Sequence, residues 1–303
     1  MLDSRAMRAA FVLLAGLLLA GACSPLACSF GIDVPALSEC RDRDRDCGAA
    51  DEGPSSGEAG EGGAPDDGSS PEAADSAPTT CPTGRGPAMV RIAAAPAFCI
   101  DASEVTADQY AAFLASPERP APARPAATCK ARTDFTPKGA WPAAPGRGTT
   151  PVVYVDFCDA QAFCAWSGKA LCGARGGGAL DVAMMNRAPG DGWFVGCGGA
   201  EGSYPYGNVY DADKCNGVDH GVTAPVPVES LGACRTPSGA FDLSGNVWEW
   251  TDTCESDVDV ATDRCFARGG AFNAPAAELK CASRRASTRG ETDPTIGFRC
   301  CAP

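Results

Sequence analysis

The chain has 303 residues, 45% of them hydrophobic, and a formal net charge of −13. It offers no basic surface of the kind that phosphate contacts need, so nucleic acid is not an expected partner. Eighteen cysteines point to an oxidising compartment, and a single histidine, His220, excludes a multi-histidine metal site within the chain.

Residues 1–22 read as an export signal: Arg5 and Arg8 precede an apolar run from Ala9 to Ala20 that is short for a membrane span. Ala20-Gly21-Ala22 fits an A-x-A cleavage site. The same stretch resembles a bacterial lipobox, with Ala20 in the usual leucine position, which implies a lipid-modified Cys23 and a lipid anchor to the membrane. The expectation is a cell-envelope lipoprotein; a secreted protein with an unmodified Cys23 is the alternative. Residues 23–80 form a cysteine-containing, low-complexity tether. A turn closed by Cys40 and Cys47 is expected in it, ahead of eight acidic and no basic residues between 48 and 80. That stretch cannot bury enough apolar surface to offset its ordering entropy. It carries most of the acidity, so the net charge says little about a ligand.

A domain is expected over 81–303, where 14 cysteines permit seven bridges. Residues 97–101 (AFCID) read as a short strand. Thr106 and Gln109 make a capping-box pattern, opening a helix with Tyr110, Phe113 and Leu114 on one face. Residues 117–150 read as a long loop, and 151–155 (PVVYV) as a buried strand. Asp156 caps a second helix with Phe157, Ala160, Phe163 and Cys164 on its apolar face, and Gly168 stops it. Short strands are expected at 266–272, 281–287 and 296–302. Within the last, Cys300 and Cys301 must point to opposite faces.

Eight segments, in this order, resemble one family: FCIDASEVTADQY (98–110), PVVYVDFCDAQAFCAWSGKALC (151–172), YPYGN (204–208), TAPVPV (223–228), SGAFDLSGNVWEW (238–250), RGGAF (268–272), CASRRAS (281–287) and IGFRCC (296–301). Residues from about 88 to 302 thus resemble the formylglycine-generating enzymes, or sulfatase-modifying factors. The resemblance implies an α+β fold with little regular secondary structure, that family's variant of the C-type-lectin-like fold. Active members are copper-dependent oxidases that convert a sulfatase cysteine in a C-x-P-x-R stretch to formylglycine. Two cysteines after the RGG segment hold their Cu(I), a soft ion suited to thiolate. Here those positions fall at Ala274 and near Ala276, and Ala271 replaces the family serine. Copper is therefore not expected. Cys281 matches a family disulfide cysteine, and would serve copper only with a new partner.

The resemblance also implies the bridges Cys164–Cys300 and Cys197–Cys281. Cys301 is assigned to Cys99, because both chain ends of this fold lie together, and Cys254–Cys265 closes a short acidic loop. Cys215–Cys234 and Cys158–Cys172 are weaker guesses. Calcium is the implied cofactor, with Asp242 and Glu249 as carboxylate ligands and Gly245 and Val247 as carbonyl ligands. A second site would use Asn216 and Asp219. The alternative for Asp242 and Glu249 is hydrogen bonding within the loop.

Other residues have ordinary readings: His220 at the surface, Trp248 and Trp250 as core and pocket wall, Arg284, Arg285 and Arg299 paired with carboxylates. Two functions compete. The first is a non-catalytic, exported scaffold binding an unknown peptide, glycan or envelope protein. The second is a copper-dependent formylglycine-generating oxidase with relocated ligands, which requires a pair of free thiols in the folded domain.

Overall fold

The computed structural model describes residues 80–118, 127–130, 132–256 and 262–303. The export signal, Cys23, Cys40–Cys47 and the acidic tether lie outside the described residues.

Two four-stranded sheets and a few short helices make an α+β domain. The first sheet has the order β1 (Met89–Ile92), β2 (Phe98–Asp101), β8 (Cys300–Ala302), β3 (Ala170–Leu171). The second has the order β6 (Arg284–Thr288), β5 (Arg264–Arg268), β4 (Trp248–Cys254), β7 (Ile296–Phe298). Residues 296–302, one strand by sequence, are two. At Arg299 the chain leaves the second sheet, where β7 runs parallel to β4, and enters the first between β2 and β3.

Helix α1 (Ala107–Ala115) begins where Thr106 predicts, with Thr106 accepting from the Gln109 amide and Gln109 from the Thr106 amide. Helix α3 (Phe157–Trp166) is opened by a reciprocal box between Asp156 and Asp159, and Gly168 stops it with φ +75°. Its apolar residues join Tyr110, Phe113 and Phe298 in an aromatic core; Tyr110 and Phe163 stack at 5.8 Å.

PVVYV is not a strand. Val152 donates to Val105 and Tyr154 to Asp293, and Tyr154 turns to φ +60°, so successive residues change partner before a ladder forms. The long loop contains a short helix, α2 (Ala127–Lys130), whose Cys129 is bridged to Cys158 at the start of α3. That bridge, absent from any helical periodicity, fixes the turn where it is.

All fourteen described cysteines are paired. Cys164–Cys300, Cys197–Cys281, Cys215–Cys234 and Cys254–Cys265 form as expected from sequence. Cys99–Cys301 and Cys158–Cys172 do not. Cys99 bridges Cys81, and Cys301 bridges Cys172. Strand parity is the reason: Cys99 lies opposite Ala302 and Ile100 opposite Cys301, so Cys99 points to the face opposite Cys301. Cys172 continues from β3, where Ala170 already faces Cys301.

Candidate functional site

The segment that replaces the copper loop starts at the end of β5. Gly269 and Gly270 both have left-handed φ, +91° and +82°. A Cβ on Gly270 would lie 2.9 Å from the Glu278 carbonyl, so side chains are barred where the loop folds back on itself. Arg268 anchors this turn from below. Its buried guanidinium donates to Asp191 (3.0 Å), Asn186 (2.6 Å) and the Cys281 carbonyl (2.8 Å), and lies 5.1 Å from the Trp193 ring.

Ala271 is fully buried and Ala274 is 3% exposed. Ala274 donates to the Ala271 carbonyl and accepts from Val218, and Tyr204 donates its hydroxyl to the Ala276 carbonyl at 3.1 Å. Ala274 and Ala276, the residues at and near the positions the family resemblance assigns to copper, are thus part of a tied-down loop. Cys281 sits nearby with no solvent exposure, bridged to Cys197. Among the described residues there is no free thiol to bind Cu(I).

Beside this loop opens a cleft of about 670 Å³ between Trp248, Pro275, Glu278 and the Arg284–Arg285 and Asp293–Thr295 segments. Trp248 is its aromatic wall, while Trp250 is core, donating its indole N–H to Val155. Arg285 is held by Glu291 (2.8 Å) and Asp293 (2.9 Å), which raise its pKa against the opposing effect of burial. Arg284 lies over the Phe266 ring, with no carboxylate partner among the described residues.

Behind the cleft, the expected calcium loop holds a buried charge cluster. Glu249 accepts Nε and Nη2 of Arg299 and the indole N–H of Trp193, each at 2.7 Å. Oε2 takes two of these donors and Oε1 one, so the expected calcium role of Glu249 would rest on the remaining lone pair of Oε1. Asp242 accepts from the Glu229 amide at 2.7 Å. Sequence reasoning missed Glu104, which enters the same cluster. Its Oε1 accepts from Asn246 at 3.0 Å, and its Oε2 is buried without a partner. In the sequence it stands only as an acidic residue three positions past the 97–101 strand. Burial pushes Asp242 up to about 7, and burial together with Asp242 pushes Glu104 well above the usual carboxylate range. Arg299 is held above its usual value by Glu249, Glu104 and Asp242, against burial.

Three carboxylates therefore share one guanidinium, and one buried carboxylate oxygen is unpaired. That deficit of positive charge fits a hard cation. Among the described residues no three His, Cys, Asp or Glu side chains converge as a metal-holding set, so such a cation would draw mainly on backbone oxygen. The second expected pair does not assemble. Asn216 is buried against Asn246 and the Ala224 carbonyl, whereas Asp219 is exposed and holds the Tyr210 hydroxyl at 3.0 Å. His220 is half-buried, with Nδ1 3.2 Å from the Ala212 carbonyl, and among the described residues it meets no carboxylate.

Residues 62–302 match the family model of the sulfatase-modifying factor enzyme 1-like domain. The chain belongs to this family. It is 30% identical over 186 residues to the "Inactive C-alpha-formylglycine-generating enzyme 2" of Bos taurus, covering 52% of this chain and 54% of that protein. It is 27% identical over 188 residues to the "Formylglycine-generating enzyme" of Streptomyces coelicolor, covering 54% and 56%. This sulfatase-modifying-factor relative thus spans about half the length of these curated relatives. Among solved structures it is similar to CarF (24% identity, TM-score 0.47, covering 68% of this chain and 86% of that one). PvdO from Pseudomonas aeruginosa gives 22% identity and the same TM-score, over 68% and 80%. The seven bridges suit an oxidising environment, and no described helix is long and apolar enough to cross a membrane.

Proposed function

We propose that this chain is a non-catalytic member of its family, an exported binding scaffold of the cell envelope anchored through an acylated Cys23. One observation carries the reading: alanines occupy the copper positions, and every described cysteine is bridged, so the domain offers no thiolate pair to copper. The relatives named inactive support it. The cleft walled by Trp248 and Pro275 is then a recognition groove for a peptide, glycan or envelope protein.

Calcium belongs to the same proposal in a structural role. Asp242 would hold it through its side chain and Gly245 and Val247 through carbonyls, as the family resemblance implies, and the buried Oε2 of Glu104 is this reading's addition to that set. Bound there, the ion supplies the positive charge that Arg299 alone leaves short.

The test is turnover. The purified chain is supplied with Cu(I) and a C-x-P-x-R peptide beside an active oxidase as control, and aldehyde is sought by mass spectrometry. No aldehyde is expected. Copper-dependent aldehyde from this chain overturns the reading in favour of an oxidase with relocated ligands.

A further inference from the structure

A second cleft, of about 860 Å³, shares no lining residue with the Trp248 cleft. Ile92, Val195, Tyr204 and Tyr206 give it apolar surface, and Gly198, Gly202 and Gly207 keep its wall free of side chains. Tyr204 and Tyr206 stack at 5.5 Å, so that wall is rigid. The opposite wall runs from Gly232 to Ser238 and carries Arg235.

Arg235 is exposed, and among the described residues no carboxylate pairs with it; its guanidinium lies 5.9 Å from the Phe241 ring. Three and two residues earlier, the amides of Gly232 and Ala233 meet no acceptor among the described residues. The cleft's lining therefore includes a guanidinium with no carboxylate partner among the described residues and two residues whose amides are unused, together with the apolar surface of Ile92, Val195 and Tyr204 and the polar side chains of Thr236, Ser238 and Glu201. That combination is complementary to a single carboxylate attached to an apolar group.

Two further features favour a peptide over a fatty acid. Glu201, exposed and with no cationic partner among the described residues, lines the cleft, and a hydrocarbon tail would desolvate it with no return. A peptide brings N–H groups that satisfy it. The outermost strand of the first sheet, β1, also runs directly into the cleft at Ile92–Ala94, giving an extended chain a path along its edge.

We infer that this cleft binds the carboxyl terminus of an extended peptide with an apolar last side chain. The terminal carboxylate sits on Arg235 and the Gly232 and Ala233 amides. The last side chain rests on Ile92, Val195 and Tyr204.

The experiment uses the full chain and fluorescein-labelled pentapeptides ending in Leu, Ile, Val or Phe, each as free acid and as C-terminal amide, with octanoate as competitor. Fluorescence polarisation is expected to show the acids bound about tenfold or more tightly than the amides, the size of a lost charged hydrogen bond. Arg235→Gln should remove that difference while leaving amide binding and the melting temperature unchanged, because Arg235 is exposed. Equal binding of acids and amides, insensitivity to Arg235→Gln, or no binding by any acid overturns the proposal. Displacement by octanoate at lower concentration than by the unlabelled peptide acids overturns it in favour of a fatty-acid site.

Discussion

Arg299 is the residue on which the buried charge cluster depends. It is fully buried and donates to both oxygens of Glu249, to the Asp101 carbonyl and to the Phe241 carbonyl, at 2.7–3.0 Å. It also sits at the point where the chain crosses between the two sheets. Arg299→Met leaves Glu249, Glu104 and Asp242 buried with no cation, and removes a donor from two carbonyls. Breaking a buried ion pair by removing one partner costs about 3–5 kcal/mol. At about 2–4 °C per kcal/mol for a domain of this size, the melting temperature should fall by roughly 6–20 °C. Glu249→Gln, which still accepts from Trp193, tests the coupling. In the double variant the charge left behind by Arg299→Met is partly removed, so its loss should be smaller than the sum of the single losses by about 1 kcal/mol or more. Calorimetry of the four proteins, in chelator and with disulfides intact, reads the cycle. An Arg299→Met protein melting within about 3 °C of wild type, or strictly additive losses, refutes this account of the cluster.

Asp242 and Glu104 have raised pKa values in the fold, so the native state keeps protons that the unfolded chain has released. Unfolding free energy in chelator should therefore decline as pH rises from the unfolded carboxylate value near 4 towards about 7, and calcium, by favouring the charged forms, should flatten that decline. Melting curves across this range with and without calcium read it; identical curves contradict the calcium proposal. Glu104→Gln should abolish the calcium response while leaving the protein folded, as seen by circular dichroism. Thiol labelling of the denatured, unreduced domain from residue 81 onward should find no free cysteine, and peptide mapping should recover Cys81–Cys99 and Cys172–Cys301. A peptide linking Cys99 to Cys301 would refute the strand parity. Tyr204→Phe removes the hydroxyl that holds the Ala276 carbonyl and should speed hydrogen exchange at Glu278 and Leu279, whose amides close that loop; unchanged exchange would show that Tyr204 does not hold it.

Local chemistry was legible in the sequence wherever it is written in adjacent residues. Thr106 with Gln109, and Asp156 before an apolar helical face, start α1 and α3 because a cap and its helix are only three residues apart. The positions that the family resemblance assigns to copper, at Ala274 and near Ala276, were likewise legible by counting from the RGG turn. What depends on which strand lies beside which was not. Cys99 and Cys301 are both at chain ends that meet, but β8 lies between two strands, and the alternation of faces sends Cys301 to Cys172 and leaves Cys99 for Cys81. PVVYV has strand composition, yet its neighbours are two separated loops. Glu104 and Glu249 are 145 positions apart in the chain, and only the packing of β2, β4 and the segment at Arg299 brings them to one guanidinium. The sequence by itself determined the family and the two helices, and its cysteine count pointed to an oxidising environment. Tertiary structure alone decided the partners of Cys99, Cys158 and Cys301, the engagement of Glu249 by Arg299 and the unpaired oxygen of Glu104, because strand order and burial are set by long-range contacts that no local spacing encodes.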